Sequence, residues 1–163
     1  MFELIRKWII SRDRMKKIDL YTDGGCAPKN PGPGTCAYAI VSEDRLIRYE
    51  IYSEQDTTSN IMELTAIIKG MTYCLKHYKD YQINIYTDSK YVQEGITSWV
   101  HKWHSNGWKK KGGTSIANIE LWKTILELSG KLDITCTWVR SHSGNPWNEF
   151  VDKLCEVKPG TAE

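Results

Sequence analysis

The sequence predicts an α/β domain in which a mixed five-stranded sheet is flanked by helices, and three observations carry that expectation. The stretch Ile18-Asp19-Leu20-Tyr21-Thr22-Asp23-Gly24-Gly25 recurs in altered form at Ile83-Asn84-Ile85-Tyr86-Thr87-Asp88-Ser89, giving two short strands that each end in aspartate. Between them Ile61, Leu64, Ile68, Met71 and Leu75 return at steps of three and four, the period of a helix with one apolar stripe. Three further stretches alternate with period two, as half-buried strands do. At 163 residues, 40% hydrophobic and 26% charged, the chain is long enough for one domain with its own core.

Residues 1–16 are basic and partly amphipathic with no strong cap, the pattern of a short docking helix or a frayed extension. The domain proper is expected over 17–156, with 157–163 as a polar tail. In the first strand alternation puts Ile18, Leu20 and Thr22 on one face and Asp19, Tyr21 and Asp23 on the other; the second copy repeats that split. Gly and Pro density over 24–34 predicts a tight loop before a second strand at 35–42. Glu43-Asp44 turns the chain into a third strand, 46–53, at the edge of an antiparallel meander. Thr57-Thr58-Ser59-Asn60 offers caps for the striped helix. After the second Tyr-Thr-Asp strand come helical stretches over 89–104, a basic loop, and a helix carrying Ile119, Trp122, Ile125 and Leu126 that ends near Gly130. A last strand at 133–139 leads to a helix opened by Asn145-Pro146, with proline at its first position.

Five scattered cysteines without a Cys-x-x-Cys pair argue against a disulfide framework and a zinc site, and so for a reducing cytoplasm. No apolar run approaches the roughly 20 residues of a spanning helix, so no membrane is expected. The net charge of +2 is small but uneven. No acidic residue lies between Glu94 and Glu120, a gap that holds Lys102, Lys109, Lys110 and Lys111 interleaved with Trp99, Trp103 and Trp108. Such a mixture suits a nucleic-acid backbone and its sugars, although a run of charge is more often a solvated face.

If the two aspartate-ended strands pair in parallel, Asp23 and Asp88 meet at one sheet edge, where like charges repel unless a cation lies between them. A lone Thr-Asp-Gly more often caps a turn or helix; the repetition evens those odds. Glu63, in the first turns of the intervening helix, reaches the same edge. Asp152 lies on the last helix one turn after Asn148, sharing its face. Glu63 completing a capping box with Asn60, and Asp152 as an ordinary surface residue, are the competing readings. Together the carboxylates favour a hard cation such as Mg²⁺ over zinc.

Tyr-Thr-Asp-Gly-Gly, Asn-Pro-Gly-Pro-Gly, Thr-Thr-Ser-Asn-Ile-Met-Glu-Leu, Tyr-Thr-Asp-Ser-Lys-Tyr-Val and Arg-Ser-His-Ser-Gly-Asn-Pro-Trp-Asn-Glu-Phe-Val-Asp, in this order over 17 to about 156, resemble type 1 ribonuclease H. The resemblance implies a ribonuclease H-like fold and a monomeric endonuclease. It would cut the RNA strand of RNA/DNA hybrids with two Mg²⁺ ions, Mn²⁺ being the alternative, leaving 3′-hydroxyl and 5′-phosphate ends. It carries the metal-binding carboxylates onto Asp23, Glu63, Asp88 and Asp152, and the loop histidine that assists turnover onto His142. It also places Asn30, Asn60 and the backbone near Gly24 and Cys26 along the RNA minor groove, where the 2′-hydroxyl is read. On the DNA side it implies that Thr58 and Asn118 hold a phosphate and that Trp99 and Trp103 pack on sugars, with Trp108, Lys109, Lys110 and Lys111 in the basic protrusion; Asn148 joins the substrate set. Asp56 stands where relatives often carry a basic residue, and Ser59 where asparagine is frequent. A hybrid-binding module without catalysis, or a DNA-cutting nuclease of the same superfamily, are the rival readings; all four carboxylates being present counts against the first.

Overall fold

The computed structural model describes residues 1–13 and 16–156, so the predicted tail lies outside the described residues. Helix α1 (Phe2–Asp13) precedes strands β1 (Lys17–Cys26), β2 (Gly32–Ser42) and β3 (Arg45–Thr57). Helix α2 (Ser59–His77), strand β4 (Gln82–Thr87) and helix α3 (Lys90–Glu94) follow, and a π-helical turn, Gly95–Trp99, runs into α4 (Val100–Ser105). A 3₁₀ turn at Lys111–Gly113 leads to α5 (Ile119–Lys131), β5 (Asp133–Trp138) and α6 (Pro146–Glu156). The strands form one sheet in the order β3-β2-β1-β4-β5.

The meander is as expected: β1 pairs antiparallel with β2 and β2 with β3, while β4 lies parallel to both β1 and β5. The register sets Tyr21 opposite Tyr86 and Thr22 opposite Thr87, so the two aspartates leave adjacent strands side by side. Both sheet faces are covered. On one, Ile18, Leu20, Ile83 and Ile85 pack with Leu64, Ile67 and Met71 of α2 and Trp122 and Ile125 of α5. On the other, Tyr21, Ala39 and Val41 pack with Val151 of α6. Apolar residues on alternate faces are what the two opposed helical layers require.

The strands run further than composition suggested. Instead of a loop from 24, β1 continues through Gly24 and Gly25 because both pair with β2, opposite Cys36 and Thr35, and β2 begins inside the Gly-Pro stretch. Ladder hydrogen bonds here outweigh the turn preference of glycine. The N-cap of α2 is Thr58, whose hydroxyl accepts the Ile61 N–H at 3.2 Å. The capping-box position therefore falls on Ile61, and Glu63 is left free. Helix 89–104 is one run with a π turn at its middle, lying flat on Trp122: a Cβ on Gly95 would stand 2.0 Å from that indole.

Candidate active site

Asp23 follows the paired part of β1 with β4, Asp88 follows β4, and Glu63 comes from the second turn of α2. The approach of α2 depends on one glycine. A Cβ at Gly24 would lie 2.6 Å from the Met62 carbonyl carbon and 2.8 Å from the Glu63 nitrogen, distances only a missing side chain allows. Strand and helix backbones thus touch, and carboxylate oxygens of Asp23, Glu63 and Asp88 gather within 4.8 Å of one another. Asp23 and Glu63 are buried; Asp88 is half-buried.

The electrostatic consequence is severe. Burial, then the charge of Asp88, push Asp23 up to about 8; the Gly24 N–H at 2.9 Å opposes them, and Asp152 adds a smaller rise. Burial with the charges of Asp23 and Asp88 holds Glu63 well above the ordinary carboxylate range. Asp88 is raised too, chiefly by burial, while Asn148 acts in the opposite direction. Glu63 Oε2 is buried with no hydrogen-bond partner. Carboxylates crowded in this way, with an acceptor left over, make a cage of oxygens for a hard cation, and the donor set contains no thiolate or imidazole that would select a softer one.

Asp152 lies outside that tight triplet but lines the same cleft, of about 830 Å³, with Asp23, Gly24, Cys26, Asp88, Ser141, His142 and Cys155. His142 sits in the middle of the exposed loop between β5 and α6, in a left-handed backbone conformation, φ 53°, with Nδ1 3.8 Å from Asp152 Oδ2. Asn148, expected among the substrate contacts, is 2% exposed and turned toward Asp88, beneath the cluster. Its Nδ2 favours the ionised Asp88 without completing a hydrogen bond of ordinary geometry.

Beside the cleft, Asn30 accepts the Ser59 N–H at 3.1 Å and Ser59 Oγ accepts the Cys26 N–H at 3.2 Å, linking the β1–β2 loop to the first turn of α2. The Cys26 N–H is thereby already engaged, whereas Asn60 is exposed on that same turn. A second recess, about 600 Å³, is lined by Trp99, Trp103, Lys102, Lys109, Lys110, Lys111 and Tyr91. Trp99 and Trp103 pack against each other and the core at one edge and face this recess at the other; Trp108 is half-buried outside it, under Lys123. Asn118 adopts φ 59° before α5 and donates to Tyr91 Oη at 3.2 Å instead of capping the helix. The sequence reading passed over Tyr91 and Cys155, since a single Tyr or Cys inside a helical stripe reads as core.

A mixed sheet of this order, with two aspartates at its central strand ends and a glutamate of α2 brought against them, defines a nuclease of the ribonuclease H-like class, and comparison with known proteins narrows that class. The RNase H family model matches residues 15–158, and the chain belongs to the RNase H family. It is 45% identical over 140 residues to a ribonuclease H of Wolbachia, spanning 85% of this chain and 92% of that protein. It is 40% identical over 144 residues to a ribonuclease H of Hahella chejuensis, spanning 88% and 93%. Among solved structures, LC9-RNase H1, a type 1 RNase H with the type 2 active-site motif, superposes with a TM-score of 0.74 at 28% identity, over 87% of this chain and 71% of that one. The chain is accordingly an endoribonuclease, a hydrolase of phosphodiester bonds, of a family that depends on divalent metal.

Proposed function

We propose that the cleft hydrolyses the RNA strand of RNA/DNA hybrids, leaving 3′-hydroxyl and 5′-phosphate ends, with Asp23, Glu63, Asp88 and Asp152 as ligands of two Mg²⁺ ions. The observation that carries this reading is the meeting of Asp23, Glu63 and Asp88 within 4.8 Å, a crowding that destabilises the fold unless positive charge is supplied. A pair of hard divalent cations, Mg²⁺ or Mn²⁺, supplies when bound an activated water on one side of the phosphate and charge neutralisation at the departing oxygen. Glu63 and Asp23 hold their oxygens fixed because α2 and β1 are locked backbone to backbone at Gly24. Asp152 is carried on a separate helix and is more exposed, which lets it adjust to the substrate. His142, with Nδ1 toward Asp152, keeps Nε2 for exchanging a proton with the leaving side of the phosphate.

Substrate selection follows the same geography. Asn30, Asn60 and the backbone at Gly24 and Cys26 border the cleft side that takes the RNA strand, and Thr58, Asn118, Trp99, Trp103, Lys109, Lys110 and Lys111 the side that takes DNA, with Trp108 behind them. The proposed enzyme acts as a monomer. Five free cysteines favour a reducing, cytoplasmic setting. Residues 17–156 form the catalytic domain and 1–16 an extension, in keeping with a family match that starts at residue 15. Labelled RNA/DNA hybrid, RNA duplex and DNA duplex, each incubated with Mg²⁺, Mn²⁺ or chelator, test the reading. Hybrid alone should be cut, only with metal, and into 5′-phosphorylated products; cleavage of DNA duplex would sink it.

A further inference from the structure

Lys90 and Trp138 belong to none of the residues so far given a role, and they flank Asp88 directly. Trp138, the last residue of β5, leaves 38% of its surface exposed, an unusual position for the largest apolar side chain. Its indole N–H donates to the Asp88 carbonyl at 3.0 Å. The Lys90 ammonium stands 4.7 Å above the same ring. Lys90 is exposed, and no described carboxylate forms a salt bridge with it, although Asp88 of the acidic triplet is two residues away in sequence. This cation is therefore held by a π face rather than neutralised by an acid.

The platform under it is rigid. The Val139 N–H donates to the Thr87 carbonyl at 2.8 Å, tying the end of β5 to the end of β4. Thr87 Oγ1 accepts the Ser89 N–H at 3.1 Å, and Ser89 Oγ accepts the Val92 N–H at 3.2 Å, capping α3. Lys90 so begins a pinned helix, between Asp88 of the cleft and Tyr91 of the Trp–Lys recess.

We propose that Lys90 contacts a backbone phosphate of the nucleic acid beside the scissile bond, and that Trp138 is a positioning residue that fixes both this cation and the Asp88 main chain. An unneutralised charge, preorganised next to a metal centre, gains most from an anion delivered with the substrate, and phosphates flank every phosphodiester. Resting on the hybrid-cleaving reading, the inference deepens it by naming one further contact. Lysine at this place needs the indole: its long stem would otherwise lose rotamer freedom on binding.

The test compares Lys90→Ala, Lys90→Arg and Trp138→Phe with the parent, measuring hybrid cleavage in Mg²⁺ across a salt series and hybrid binding in chelator. Lys90→Ala should raise KM and weaken metal-free binding while kcat stays near the parent value. Its slope of log affinity against log salt should flatten by about 0.7–0.9, the loss of one phosphate contact. Lys90→Arg keeps charge and stacking and should restore both. Trp138→Phe keeps a weaker aromatic face and loses the indole N–H, so it should weaken binding by less than the roughly two- to fivefold that an exposed cation–π contact contributes. An unchanged salt slope in Lys90→Ala, or a fall in kcat that arginine does not rescue, overturns the proposal. A parent that binds hybrid with the predicted lysine dependence but does not cut it would instead overturn the catalytic reading.

Discussion

Gly24 and Met62 meet so closely that a methyl group on the glycine would lie 2.6 Å from the Met62 carbonyl carbon and 2.7 Å from its oxygen. Neither neighbour can yield, because both are backbone, one in the β1–β2 ladder and one in the first turns of α2. Gly24→Ala should therefore cost about 1–3 kcal/mol, as overpacking does, and push α2 away from β1. Since Glu63 rides on that helix, loss of metal affinity should exceed what lower stability explains. Thermal melting and a Mg²⁺ titration separate the two effects; normal metal affinity at full occupancy of the fold would show that Glu63 does not depend on this contact.

Asp88→Asn should abolish hydrolysis of hybrid and leave the fold intact. It removes an anionic ligand and relieves repulsion within the triplet, so melting temperature without metal should rise slightly. Mg²⁺ should then raise the melting temperature less than it does for the parent. Near-normal hydrolysis by this variant at saturating Mg²⁺ would remove Asp88 from the metal site.

Stability without metal should fall as pH rises. Asp23 is raised from 3.8 to about 8 and Glu63 and Asp88 are also raised, so between about pH 4 and 8 the folded state holds protons that the unfolded state has released. For the Asp23 proton the loss is on the order of 1 kcal/mol per pH unit within that window, and the raised Glu63 and Asp88 act in the same direction. The contribution is thus fully present below pH 4 and lost as pH passes the folded value. Divalent cation should flatten the profile by replacing the protons, and activity should climb over the same range. Melting curves at pH 5, 6.5 and 8 in chelator, then in Mg²⁺, read this directly; a flat profile in chelator would mean the cluster is less crowded than its geometry indicates.

How far the sequence spoke depended on whether a feature was periodic. The parallel pairing of β1 with β4 was legible because Tyr21-Thr22-Asp23 and Tyr86-Thr87-Asp88 repeat, and the register aligns them residue for residue. Glu63 was legible as a candidate since only its helix position mattered. The burial of Asn148 was not legible, because its spacing from Asp152 shows a shared helix face but not which neighbours cover it. The length of β1 past Asp23 was hidden by Gly24 and Gly25, which look like turn residues, although both pair in the ladder and Gly24 lets α2 approach. Lys90 and Trp138, 48 positions apart, have no common pattern; only parallel pairing of β4 with β5 brings them together.

Replacing Lys109, Lys110 and Lys111 together by alanine should weaken hybrid binding without changing turnover at saturating substrate. The three lysines line the tryptophan recess, whereas the carboxylates line the separate cleft, so charge is removed from one without disturbing the other. Counterion release sets the size of the effect: each phosphate contact contributes about 0.7–0.9 to the slope of log affinity against log salt, and loss of two flattens it by about 1.4–1.8. KM should rise most at low salt, where the lysine contribution is greatest. Lys109 and Lys110 are exposed and precede the short 3₁₀ turn, so melting temperature should not move. An unchanged slope at normal stability would take the basic loop out of the binding surface and leave Trp99 and Trp103 as packing residues; a fall in stability and turnover together would make the loop part of the fold.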